Sequence, residues 1–159
     1  KFGLIFMQIF VITICNKNDN FTEQIIKKYT LLINKYYQIN FTDISFRTKK
    51  IKKNLYESEY EKAVSLIKPD SYVVALDENG KNIDSKIFSE KLRKISENYK
   101  NLYFIIGGPD GLTDTILNKS DMTLSLSSLT FPHQLAKMIL SEQIYRSICI
   151  MNNHPYHRS

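Results

Sequence analysis

The sequence predicts an α/β fold with a largely parallel sheet covered by helices on both faces. Two observations lead to it. Short apolar runs rich in β-branched and aromatic residues alternate with stretches of helical spacing along the whole chain. Runs such as Tyr72–Leu76 and Leu102–Ile106 are continuously apolar, as strands buried on both faces are. No repeat, linker or low-complexity segment interrupts the pattern, so a single domain is expected over residues 7–159 of the 159-residue chain.

Taken in order, the first strand is read at Ile9–Ile14. The fifteen residues ending at Cys15 begin with one lysine and an apolar run, which is how a secretory or lipoprotein signal starts. Ile14 stands where such a signal needs a small residue, and a single lysine is a poor charged region. The run is also too short to cross a bilayer. A buried strand starting near Met7 is the better reading, and residues 1–6 are taken as an upstream extension or cloning remnant. A helix follows at Phe21–Tyr37, a strand at Ile39–Phe46 and a helix at Leu55–Ile67, which Pro69-Asp70 closes. Next come a strand at Tyr72–Leu76 and a helix at Ile87–Tyr99 capped by Asp84-Ser85. The last elements are a strand at Leu102–Ile106, a short helix at Leu112–Leu117, a strand at Met122–Leu126 and a long helix at Pro132–Met151. Pro132 suits the first helical turn, with Thr130 or a neighbour as its cap.

Composition narrows function less than it narrows fold. The formal charge is +6, but lysine outnumbers arginine 18 to 4, and Ile and Asn are also abundant at 21 and 13. That bias resembles the codon usage of an AT-rich genome more than a selected basic surface. Each half of the chain carries +3, so there is no basic tail or appended nucleic-acid module. Five basic residues fall between Arg47 and Lys53. They suit a solvated loop beside the sheet better than a phosphate site. Cys15 and Cys149 lack metal-ligand spacing and there are only three histidines, so no metal site is expected. Two unpaired cysteines suit a reduced cytoplasmic protein.

Three segments carry the chemistry. Of five glycines, three lie in Gly107-Gly108-Pro109-Asp110-Gly111, at the carboxyl end of a parallel strand, where open α/β sheets bind ligands. The spacing is neither that of a dinucleotide site nor that of a P-loop. The turn after the first strand, Cys15-Asn16-Lys17-Asn18, has no glycine and argues against a Rossmann-type site. The second segment, Ser125–Gln134, joins the last strand to the last helix, and the free amides at that helix start suit a carboxylate or phosphate. Ser125 and Ser127 lack a nucleophile elbow, and a lone His133 is more often structural than a base. The third segment, Asn153–Arg158, gathers two histidines, a tyrosine and one of four arginines at a chain end that would ordinarily be dispensable.

Ile105–Leu112, Leu124–Ser127, Thr130–Gln134, Glu142–Arg146 and His154–Arg158, in that order and spacing, resemble the RlmH family. These are bacterial methyltransferases that modify a pseudouridine of 23S ribosomal RNA at ring nitrogen 3. The match is dense from Tyr72 to Arg158 and weaker from Met7 to Pro69. The resemblance implies a SPOUT-type parallel sheet flanked by helices with a C-terminal trefoil knot, a homodimer, no membrane, and the ribosome as substrate. It implies S-adenosyl-L-methionine held by Leu76, Gly107, Leu126, Ser127, Ser128, Leu129, Thr130 and Phe131. It also carries over Tyr156, His157 and Arg158 in the tail, and His133 and Arg146 nearer the cofactor loop, as catalytic candidates. Arg158 and Tyr156 would position the RNA or the nucleobase, and His157 or His133 would assist proton loss. Thr13-Ile14-Cys15-Asn16 departs from the family, which often places a glycine and a basic residue there. A catalytically inactive SPOUT-like RNA-binding protein and a flavodoxin-like small-molecule enzyme are the alternatives.

Overall fold

A computed structural model describes residues 7–16, 20–45 and 57–156. Ten elements alternate: β1 (Gln8–Ile14), α1 (Asn20–Ile33), β2 (Gln38–Ile44), α2 (Glu57–Ser65), β3 (Ser71–Asn82), α3 (Ser85–Asn98), β4 (Asn101–Ile106), α4 (Asp114–Lys119), β5 (Met122–Ser125) and α5 (His133–Met151). The sheet runs β2-β1-β4-β3-β5 with every pairing parallel.

Side-chain alternation explains the layers. Leu102, Phe104 and Ile106 of β4 point into one apolar cluster, together with residues of α3 and α5. Tyr103 and Ile105, one residue out of phase, point into the other, which α2 and α4 cover through Tyr60, Ala63 and Ile116. All six residues of β4 are buried, which is why its sequence shows no polar alternation. Phe10 of β1 and Tyr103 of β4 are register partners, and their rings stack 4.6 Å apart.

Most boundaries shift by a residue or two from the sequence reading, and three differences have a local reason. The first helix stops at Ile33 because Tyr36 and Tyr37 both donate backbone N–H bonds to the Ile33 carbonyl. Asn34 Oδ1 then accepts from Ile39 N–H and starts β2. The third strand runs on past Leu76, because after a register shift Lys81 and Asn82 pair again with Leu124 and Ser125. Gly80 permits that second approach, since a Cβ there would stand 2.7 Å from the Leu124 carbonyl carbon. The last helix has Pro132 as its N-cap without a side-chain cap, and Thr130, expected as the cap, donates instead to Glu78 Oε2. The Asp84 cap is as expected, accepting from Ile87 N–H at 2.8 Å. The basic segment Arg47–Lys53 and residues 1–6 lie outside the described residues.

The chain steps from β3 back to β4 and then across β3 to β5. This reversal leaves an opening at the carboxyl ends of the strands, the position where such sheets bind ligands.

Candidate functional site

A cleft of about 580 Å³ opens at the ends of β3, β4 and β5 and is closed on one side by the start of α5. That volume is in the range of small-molecule and cofactor sites. One wall is the glycine turn. Gly111 N–H donates to the Gly108 carbonyl at 3.0 Å, and Gly111 adopts φ +78°, a conformation that favours glycine. Gly107 is pinned from the other side: a Cβ there would lie 3.0 Å from Gly111 C and 3.1 Å from Gly111 O.

The opposite wall is the loop after β5. Ser125 Oγ donates to the Ser127 carbonyl, and Ser127 Oγ accepts from Leu129 N–H. Both hydroxyls are occupied in shaping the loop, in keeping with the absence of a nucleophile elbow. Of the eight residues expected around the cofactor, Leu76, Gly107, Leu126, Ser127, Leu129, Thr130 and Phe131 line this one cleft, and Ser128 does not. Sequence reasoning missed Asp77 and Glu78, which also line it. They directly follow Leu76, so their position at the end of a strand was the available signal.

His133 stands at the α5 end of the cleft. Burial holds its pKa below the ordinary value, with Asp43 acting against the shift and Lys137 with it. Its Nε2 is buried and has no hydrogen-bond partner among the described residues. One turn on, Lys137 is itself buried, and its Nζ lies 2.6 Å from Asp43 Oδ1, tying the start of α5 to edge strand β2. Cys15, beside this pair, has its thiol pushed up to about 11 by burial and then by Asp43. It is therefore a protonated core residue rather than a nucleophile. Both cysteines are free.

The remaining candidates gather elsewhere. Arg146, expected nearer the cofactor loop, is placed with the tail. It lies thirteen residues beyond His133 on α5, about 20 Å along the helix axis. Its Nε and Nη2 donate to Glu142 Oε1 at 2.9 and 2.7 Å, and its guanidinium sits 5.2 Å from the Tyr156 ring centre. Tyr156 Oη donates to the same Glu142 oxygen at 3.3 Å. Gln143 Nε2 donates to the other oxygen of Glu142. Glu142 thus organises this cluster, and its place four residues before Arg146 on a helix was the missed signal. Hydrogen bonding with Tyr29, followed by burial, raises the Tyr156 phenol above its ordinary value. The bond to Glu142 raises Arg146 likewise. His157 and Arg158 lie outside the described residues.

The parallel sheet with a glycine turn and a cofactor-sized cleft at its carboxyl edge belongs to a chain of the SPOUT methyltransferase class, as its family match shows. Residues 7–157 match the family described as predicted SPOUT methyltransferase. A solved structure described as a probable methylase family protein from Haemophilus influenzae Rd KW20 shares the fold. Its TM-score is 0.53 at 13% identity, covering 98% of this chain and 72% of that one. The chain belongs to the RlmH family within that class. A protein named ribosomal RNA large subunit methyltransferase H from Acholeplasma laidlawii is 37% identical over 153 residues, which are 96% of this chain and 100% of that protein. The protein of the same name from Exiguobacterium sp. is 35% identical, with the same coverage of each chain. That from Christiangramia forsetii is 36% identical over 95% of this chain and 99% of its own.

Proposed function

We propose that this chain is a 23S ribosomal RNA methyltransferase that moves a methyl group from S-adenosyl-L-methionine to ring nitrogen 3 of a pseudouridine. It acts in the cytoplasm on assembled ribosomes, as a homodimer of single-domain subunits. The observation that carries this reading is the cleft itself. It unites the glycine turn, the loop after β5 and the end of β3 in a chain matched over 96% of its length by proteins named ribosomal RNA large subunit methyltransferase H.

The residues present fit the cofactor. Leu76, Ile106, Leu126 and Phe131 offer apolar walls for an adenine ring, and the glycine turn offers backbone without side chains in the way. Asp77 and Glu78 put carboxylates beside a ligand that carries a positive sulfonium. When bound, the cofactor supplies a methyl group made electrophilic by that charge. The close approach of Gly80 to Leu124 and Ser125 suits the tight chain crossings of a C-terminal trefoil knot.

The protein's part is to align the target nitrogen and favour loss of its proton. His133 is held neutral by burial at the cleft wall, the form a base needs. Tyr156, held protonated by its bonds to Tyr29 and Glu142, is a hydrogen-bond donor and not a base. Arg146 remains a cation and stabilises negative charge developing on the nucleobase or its phosphate. Arg158 and His157 extend this set by resemblance. Because the tail cluster is about 20 Å along α5 from the same chain's cleft, the arrangement favours a dimer in which one subunit's tail serves its partner's cofactor. Labelled methyl groups offered to ribosomes that lack the mark, with the modified base mapped afterwards, test the assignment. Label on that pseudouridine is expected, and ribosomes left unlabelled under conditions where the cofactor binds would make this an inactive RNA-binding relative.

A further inference from the structure

We propose that Tyr60 is a positioning residue for the cofactor cleft, its hydroxyl setting the opening of the glycine turn. This inference rests on the reading of the cleft as a cofactor site. Tyr60 belongs to α2, on the face of the sheet opposite α5, and is only 1% exposed. Its hydroxyl accepts from Gly108 N–H at 3.2 Å and donates to the Gly111 carbonyl at 2.5 Å. Gly111 N–H and the Gly108 carbonyl bond to each other directly, so the phenol engages the other pair of groups at the mouth of the same turn.

The geometry makes that contact a spacer. The Gly111 carbonyl held by Tyr60 is one of the groups that a Cβ on Gly107 would strike. Gly107, Gly108 and Gly111 all line the cleft. Removing one hydroxyl leaves the half-buried Gly108 N–H and the Gly111 C=O without the bridge that ties them to α2, and the turn is then free to find new partners by moving. The turn then closes or twists where the cofactor's backbone contacts lie. The ring itself packs in the α2–α4 cluster with Ala63 and Ile116, so phenylalanine keeps that packing.

Calorimetric binding of S-adenosylhomocysteine separates positioning from plain stability, with Thr115→Val as the control. Thr115 hydrogen-bonds Glu57 and ties the same helix to α4 away from the turn. Tyr60→Phe is expected to raise Kd for S-adenosylhomocysteine, and KM for the methyl donor, about tenfold. Its kcat at saturating donor stays within about threefold, and Thr115→Val binds within about twofold of the native chain. Tyr60→Met, a second side chain without the hydroxyl, gives the same weakening. Native affinity in folded Tyr60→Phe, or equal losses in Thr115→Val, would overturn the inference. A native chain that fails to bind S-adenosylhomocysteine overturns the reading of the cleft instead.

Discussion

The two ends of α5 are built on opposite principles. At its first turn, the cleft is walled largely by main chain and apolar side chains, with Asp77, Glu78 and His133 among them and the serine hydroxyls of the loop turned to internal bonds. Thirteen residues on, Arg146, Tyr156 and Gln143 converge on one carboxylate, Glu142, and the rings of Tyr145 and Tyr156 meet at a tilt, 5.0 Å apart. A backbone site depends on which residues can be small, and a side-chain site depends on which can carry charge. The comparison therefore predicts that damage to the glycine turn is lost binding, whereas damage to the tail cluster is lost chemistry.

The largest effects come from breaking each end outright. A chain ending at Asn153 keeps its affinity for S-adenosylhomocysteine within about twofold and loses methyl transfer by about 1,000-fold. Gly107→Val does the reverse in kind: its Cβ meets Gly111, so calorimetry shows binding lost and transfer lost with it. Next in size, Arg146→Ala lowers transfer about 100-fold with cofactor affinity unchanged, as removal of one charge-stabilising donor does. A matching loss of affinity in that variant would break the division between the two ends.

Smaller effects sharpen the account of the first end. Asp43→Asn leaves the Lys137 ammonium buried without its counter-ion. A fully buried pair broken this way costs about 3–5 kcal/mol, but the Asp43 side chain is 32% exposed, and solvent screening reduces the figure to about 2 kcal/mol. Thermal unfolding midpoints should fall by roughly 4–8 °C. The smallest effect is acid lability. His133 has its folded pKa lowered by burial, so below the ordinary value of 6.5 the unfolded chain takes the proton first. The stability that the neutral form contributes is present above that pH and lost as pH falls. Urea unfolding at pH 7, 6 and 5 should therefore show a shallower decline in His133→Gln than in the native chain.

Much of this was legible in the sequence, unevenly. All ten elements could be placed because buried parallel strands such as Leu102–Ile106 announce themselves by continuous apolarity. The extension of β3 to Asn82 could not, because Glu78–Asn82 are polar and pair only through a tertiary approach that Gly80 permits. The cleft was legible through its scarce glycines, yet Asp77 and Glu78 were not singled out, although they directly follow Leu76. Arg146 was recognised, but not its separation from the cleft of its own chain, since a motif gives residues without distances and thirteen helical residues span about 20 Å. Tyr60 was invisible, as nothing in a helix pattern reveals that a core tyrosine reaches a turn fifty residues away.

The central claim is that the two ends of α5 make one active site only across two chains. Mixed dimers test it most directly. Chains ending at Asn153 retain a good cleft, and Gly107→Val chains retain a good tail, so each is inactive alone. Co-expressed and purified together, they should recover about a quarter of native methyl transfer to unmodified ribosomes, because half of the dimers form mixed and each of those holds one complete site. Activity no higher than the sum of the two separate variants would contradict the account.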